Sequence, residues 1–208
     1  AAETWDGYLN DINGPHVTSD HAVAALDAAK NGAIEEGSVG GGTGMNCYAF
    51  KGGNGAASRI VNYGHRDYTV GVFLQANFGS RNELTIAGVP LGAELSDDNP
   101  MEAFAANLPA GAGSCIGIVA TDAPLLPGQC KALARRVPLG LARTGTAGSH
   151  FSGDIFLAFS TANRDALNGR FPRGEPDAGE YSHMDFIPWG RMDDFYTAVV
   201  QAAEEAVI

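Results

Sequence analysis

Positive charge is scarce in this chain. Lys and Arg number 13 against 24 Asp and Glu over 208 residues, a formal net charge of −11 at pH 7. Nucleic-acid backbones are held by clustered cations, so this balance excludes a nucleic-acid binder and points to a soluble, acidic surface. Cysteine is scarce too. Cys47, Cys115 and Cys130 show no CxxC or other metal spacing, and two of them fall inside apolar patterns, which predicts buried free thiols rather than bridges. The 5 histidines form no HExxH pair, so no metal site is expected; no cofactor is expected either. No apolar run is long enough to span a bilayer, and no membrane partner is expected. The chain does not open on Met and shows no signal-peptide pattern, and its compartment is not readable from its first residues.

Several motifs are present only in part. The glycines from 37 to 44 look like a phosphate loop but lack its Lys and do not fit GxGxxG; they fit a close approach of backbone to another segment or to a substrate. His65, Arg66 and Asp67 resemble a kinase catalytic loop, but Val72 stands where its Asn is required. Ser149, His150 and Asp154 contain the residue types of a catalytic triad, yet no serine sits in a GxSxG elbow and spacing alone proves no triad.

The apolar fraction of 45% supplies a real core, and the length fits one domain. Residues 1–15 read as a loop-rich entry. Thr18 or Ser19 can cap a helix whose face is Ala22, Val23, Leu26 and Ala29, short enough in side chain to pack closely, before Asn31 and Gly32 stop it. A strand is expected over 45–50, a turn over 52–55 and short strands over 59–62 and 84–87. Residues 68–77 alternate cleanly, with Val70, Val72, Leu74 and Ala76 on one face and Gly71, Phe73, Gln75 and Asn77 on the other. Residues 93–113 read as a flexible linker, though a helix over 101–107 is compatible with their sequence. A fully buried strand is expected over 115–120. A helix should start at Pro127 and meet a stop or kink at Pro138, and an alternating strand is expected over 154–160. A surface loop over 168–182 precedes the strongest helical stripe: Met192, Phe195, Tyr196, Val199, Val200 and Ala203. Together these predict a layered α/β arrangement, sheet against sheet with helices outside.

One step stands apart. Gly113 and Ser114 join the loose segment to the apolar run. A serine hydroxyl can attack the preceding carbonyl, and hydrolysis of the resulting ester frees a serine whose α-amine serves as base for its own side chain. Such an amine titrates at about 7.7–8.0, close to working pH. Read from local chemistry alone, the same dipeptide more often marks a loop entering a strand. Asn77 can aim an amide from the end of a rigid strand, or serve as a turn residue before Gly79. Ser152 and Asp154 can point the same way and hold a nucleophile, or cap the following strand.

Six stretches in order settle a resemblance: 3–7 with 9–12 (ETWDG, LNDI), 40–45 (GGGTGM), 75–79 (QANFG), 120–125 (ATDAPL), 133–136 (LARR) and 152–154 (SGD). The series resembles the L-aminopeptidase/D-esterase family, which includes the β-peptidyl aminopeptidases. The resemblance implies an autoproteolytic serine hydrolase with an αββα sandwich like that of N-terminal nucleophile hydrolases, but with different strand connections. It implies cleavage between Gly113 and Ser114, removal of N-terminal residues from small peptides, amides or esters, and assembly as a homo-oligomer, commonly a tetramer. By position, Ser114 would be nucleophile and base, Asn77 an oxyanion donor, and Ser152 and Asp154 would orient Ser114. Glu3 would pair with the substrate ammonium, and Trp5 stands where some members place a Tyr that helps the oxyanion. Cys115 offers a thiol one residue on. The family carries a segment ahead of position 1, so residues 1–208 are expected to form a single catalytic domain lacking it. Acyl transfer of the ornithine acetyltransferase type is the alternative chemistry, against which Ser rather than Thr at 114 counts. A non-catalytic binding protein on the same scaffold is the third reading.

Overall fold

The structure is a computed structural model and describes residues 4–105, 113–169, 171 and 174–208. In chain order the elements are α1 (Ser19–Asp27), β1 (Asn46–Cys47), β2 (Phe50–Lys51), β3 (Gly53–Tyr63), β4 (Arg66–Asn77), α2 (Glu102–Ala105), β5 (Ser114–Thr121), α3 (Pro127–Ala134), α4 (Val137–Arg143), β6 (Ile155–Ser160) and α5 (Asp193–Val207). One four-stranded sheet runs β3-β4-β5-β6; β1 and β2 form a separate small ribbon. The β3–β4 and β4–β5 pairs are antiparallel, and β6 runs parallel to β5. A parallel neighbour needs a crossover, and α3 and α4 lie within it.

The helices cover one face. α5 packs across β3 and β4, α3 across β6 and β5, and α4 against α5. Alternation puts Val70, Val72, Leu74, Cys115 and Val119 into this core, with Phe195, Val199 and Ala202 of α5. Helix and sheet come so close that a Cβ at Gly55 would run into the Ala206 carbonyl. The opposite face of the sheet is apolar as well: Ile60, Ile155, Leu157 and Phe159 are exposed there. Among the described residues the only other sheet is the two-stranded β1–β2 ribbon.

β4 and α5 form as their periodicity predicts, and all three cysteines are buried and free. Other expectations are corrected. The strand expected over 45–50 is instead a hairpin, because Tyr48 (φ 52°) and Ala49 (φ 56°) turn the chain in the left-handed region. Neither residue has glycine's freedom, and such backbone costs about 1–2 kcal/mol per residue. The turn expected over 52–55 and the strand over 59–62 merge into the long β3, whose glycines serve close packing rather than turning. Residues 84–87 make only the isolated bridge of Ile86 with Val89. The strand over 115–120 is buried on one face only, Ile116 and Ile118 being half-buried. The helix from Pro127 ends before Arg135, and α4 restarts with Pro138 in its first turn, where a missing N–H costs nothing. α1 forms, but none of its residues is buried, so its small apolar face is not part of the core. Of the linker expected over 93–113, residues 106–112 lie outside the described residues, and the rest holds turns and the short α2.

Candidate active site

The site lies at one end of the open face of the sheet. β4 and β5 run antiparallel with Asn77 directly opposite Ser114, Gln75 opposite Ile116 and Phe73 opposite Ile118. Alternation therefore puts Asn77 and Ser114 on the face away from the helices. Both are nearly buried, at 5% and 4% exposure. Gly113 fits only as glycine: a Cβ there would run into the Asn77 carbonyl.

Trp5 joins the two. Its N–H donates to Ser114 Oγ at 3.1 Å, and its carbonyl accepts from Asn77 Nδ2 at 2.6 Å. The sequence suggested a role for Trp5 through its indole; the structure brings its peptide groups to Ser114 and Asn77. The neighbouring Thr4 hydroxyl donates to Gln75 Oε1 at 3.0 Å and holds this segment on the sheet. Glu3 lies outside the described residues.

The Asn77 amide has a defined sense. Its Oδ1 accepts from the Asn46 backbone N–H at 2.9 Å, and a backbone N–H cannot reverse its role, so Nδ2 must face Trp5. Nδ2 carries two hydrogens, and the Trp5 carbonyl takes one.

Ser152 and Asp154 sit on the neighbouring strand entry. Gly113 forms a parallel bridge with Ser152, and the Gly153 N–H donates to the Gly113 carbonyl at 3.0 Å. Ser152 Oγ donates to Asp154 Oδ1 at 2.6 Å. Neither side chain bonds to Ser114; the α-amine they are expected to orient does not exist while Ser114 remains in a peptide bond. His150 is exposed and stacks edge-on against Phe151, so the triad-like trio does not assemble around Asp154. A cavity of about 220 Å³, lined by Phe78, Ser80, Glu83, Thr146 and Ser152, opens beside the strand entry. The peptide groups of Trp5, Asn46 and Gly153 are the participants that sequence reasoning missed. They act through backbone atoms, which no residue type announces.

Cys115 faces the other way. It is fully buried among the core residues, one position from Ser114 and hence on the opposite face of β5. Burial first, then the charges of Asp154 and Cys47, push its thiol well above the ordinary value of 9.0. Burial pushes Cys47 up to about 12. Both thiols should therefore react with a thiol reagent at pH 8 at least about 100-fold more slowly in the folded protein than after denaturation. Stability should fall above pH 9.0, where the unfolded chain loses thiol protons that the folded chain keeps. Rapid native labelling would contradict the burial.

Comparison with known proteins gives a consistent outcome. The profile described as "Peptidase family S58" matches residues 1–208. The β-peptidyl aminopeptidase BapA of Sphingosinicella microcystinivorans is 46% identical over 214 residues, covering 99% of this chain and 52% of the relative. The BapA of Sphingosinicella xenopeptidilytica is 44% identical over 215 residues, covering 100% and 51%. Among solved structures, the L-aminopeptidase D-Ala-esterase/amidase of Ochrobactrum anthropi, described as a variant of the Ntn hydrolase fold, superposes with a TM-score of 0.85 at 44% identity, covering 98% of this chain and 52% of that one. A Burkholderia sp. β-aminopeptidase gives 0.81 at 42%, covering 98% and 54%. The chain thus spans about half the length of the curated relatives it matches. Its α/β layers have this variant Ntn hydrolase fold. The relatives are named as aminopeptidases, which turns against the acyl-transfer reading.

Proposed function

This chain belongs to peptidase family S58, and we propose that it forms the nucleophile-bearing part of a self-processing serine aminopeptidase, amidase and esterase. Its substrates are small peptides, amides or esters with a free N-terminus. The observation that carries the reading is the placement of Ser114 opposite Asn77, on one face, joined through the Trp5 peptide.

In the first stage Ser114 Oγ attacks the Gly113 carbonyl carbon. The Gly153 N–H already points at that carbonyl's oxygen and supports the charge that develops there. The C–N bond breaks, the nitrogen takes up the hydroxyl proton, and the chain is left joined as an ester. Water hydrolyses the ester to a Gly113 carboxylate and a free Ser114. In the second stage the new α-amine accepts the Oγ proton, and Oγ attacks the substrate carbonyl. Asn77 Nδ2 supports the oxyanion, the leaving amine departs with the proton, and water releases the acyl group. Ser152 and Asp154 hold the α-amine, which then lies next to their loop. Glu3 pairs with the substrate's ammonium.

Further parts of the reading follow the family. The open apolar face of the sheet receives the second sheet of an αββα sandwich, from polypeptide outside residues 1–208, and the protein assembles as a tetramer. The test of the central claim is an intact mass of the purified protein. Two fragments divided between Gly113 and Ser114 are expected; a single uncut chain with full activity overturns the reading.

A further inference from the structure

Arg81 is an unusual cation. It is only 7% exposed, and among the described residues no carboxylate pairs with it. Its donors go to backbone carbonyls instead: Nε to Tyr48 at 2.9 Å, Nη2 to Ala49 at 2.6 Å and Nη1 to Leu95 at 2.8 Å. The guanidinium also lies 3.5 Å from the centre of the Phe50 ring. Three of these four partners, Tyr48, Ala49 and Phe50, belong to the hairpin between β1 and β2. A buried charge is costly, so a cation spent on carbonyls needs a reason. The turn supplies one. Tyr48 and Ala49 both hold positive φ without being glycine, and a guanidinium fork that grips their carbonyls keeps them there.

The hairpin in turn grips the site. The Asn46 N–H holds Asn77 Oδ1 at 2.9 Å, and the Tyr48 N–H holds the Phe78 carbonyl at 2.8 Å. The Tyr48 ring closes the arrangement: its hydroxyl meets Thr144 Oγ1 at 2.7 Å. We propose that Arg81, acting through the left-handed turn at Tyr48 and Ala49 and through the Asn46 N–H, is a positioning residue that sets which way the Asn77 amide faces. The terminal torsion of Asn is broad and roughly two-fold, so an amide freed from Asn46 can reverse. Reversal would present an oxygen where the developing oxyanion needs a hydrogen. The inference rests on the reading of Asn77 as an oxyanion donor.

The test is a double-mutant cycle in the full chain, with Arg81→Lys and Asn77→Ala, followed by hydrolysis of an aminoacyl p-nitroanilide. Arg81→Lys keeps the charge but loses the fork. It should lower kcat about tenfold and leave KM within about twofold, since misplacement of a transition-state donor acts on kcat. In the Asn77→Ala background the same change should cost less than about twofold, because the group it acts through is gone. Ala49→Gly added to Arg81→Lys should recover kcat, since glycine holds positive φ without a clamp. Equal losses in both backgrounds, or an unmoved kcat in Arg81→Lys, overturn the inference and leave Asn77 untouched. An unmoved kcat in Asn77→Ala overturns the donor assignment itself, and the inference with it. If Arg81→Lys does not melt cooperatively, Phe50→Leu, which removes only the ring beside the guanidinium, takes its place with the same criteria.

Discussion

Ser114→Ala should leave the chain uncut between Gly113 and Ser114 and lower amide hydrolysis by about 10⁴-fold or more, the scale seen when a nucleophile is removed. The expected effect is large because the proposed function gives one residue two jobs in two stages. On that proposal its hydroxyl opens the chain, and the α-amine released by that opening then activates the same hydroxyl. The substitution is a mild one for the fold: Ser114 faces the sheet surface away from the core, and among the described residues its Oγ accepts one hydrogen bond, from the Trp5 N–H. A native melt beside a dead, uncut chain is therefore the expected pattern, read by intact mass and thermal unfolding. The wild-type activity should be lost as pH falls through about 7–8, because the base form of the α-amine is the active one and protonation removes it. A Ser114→Ala chain that still splits at that bond would assign the attack to another group. Cys115 is poorly placed for it, being buried on the opposite face of β5.

How far such a site can be read from sequence depends on which atoms do the work. β4 was legible because two-residue alternation is strong over its whole length, and its faces fall as the pattern says. α5 was legible because its apolar stripe meets a sheet within the same chain. The α1 stripe looks like a core face yet stays exposed, so periodicity reports an available face and not its partner. The hairpin at Tyr48 and Ala49 was illegible: neither is a turn residue, and the clamp that holds them comes from Arg81, more than 30 positions away. The glycines from 52 to 55 misled for the converse reason, since glycine serves close approach as well as turning. Asn77, Ser114, Ser152 and Asp154 were picked out as residue types with modest local cases, and the family likeness alone joined them. The backbone donors of Trp5, Asn46 and Gly153 had no signal at all, because every residue but proline offers the same group.

Asn77→Ala should lower kcat by about 10²–10³-fold with little change in KM, the usual cost of one oxyanion donor. The geometry behind this is a chain of fixed donors. The Asn46 N–H pins Oδ1, the Trp5 carbonyl pins one hydrogen of Nδ2, and the Trp5 N–H ends on Ser114 Oγ. An amide held at both ends needs no reorganisation when charge develops beside it, which is why its loss should appear in the chemical step rather than in binding. Two controls separate this from a loss of structure. Asn77→Ala removes a 5%-exposed polar side chain, so some stability will go with it, and the melt measures how much. Self-cleavage provides the second control: its carbonyl, that of Gly113, already accepts from the Gly153 N–H, so the first stage has a donor independent of Asn77. The variant should therefore cut itself at a rate closer to wild type than its peptidase turnover is. Turnover and self-cleavage falling by the same factor would mean that Asn77 holds the strand ends together and does not meet the oxyanion.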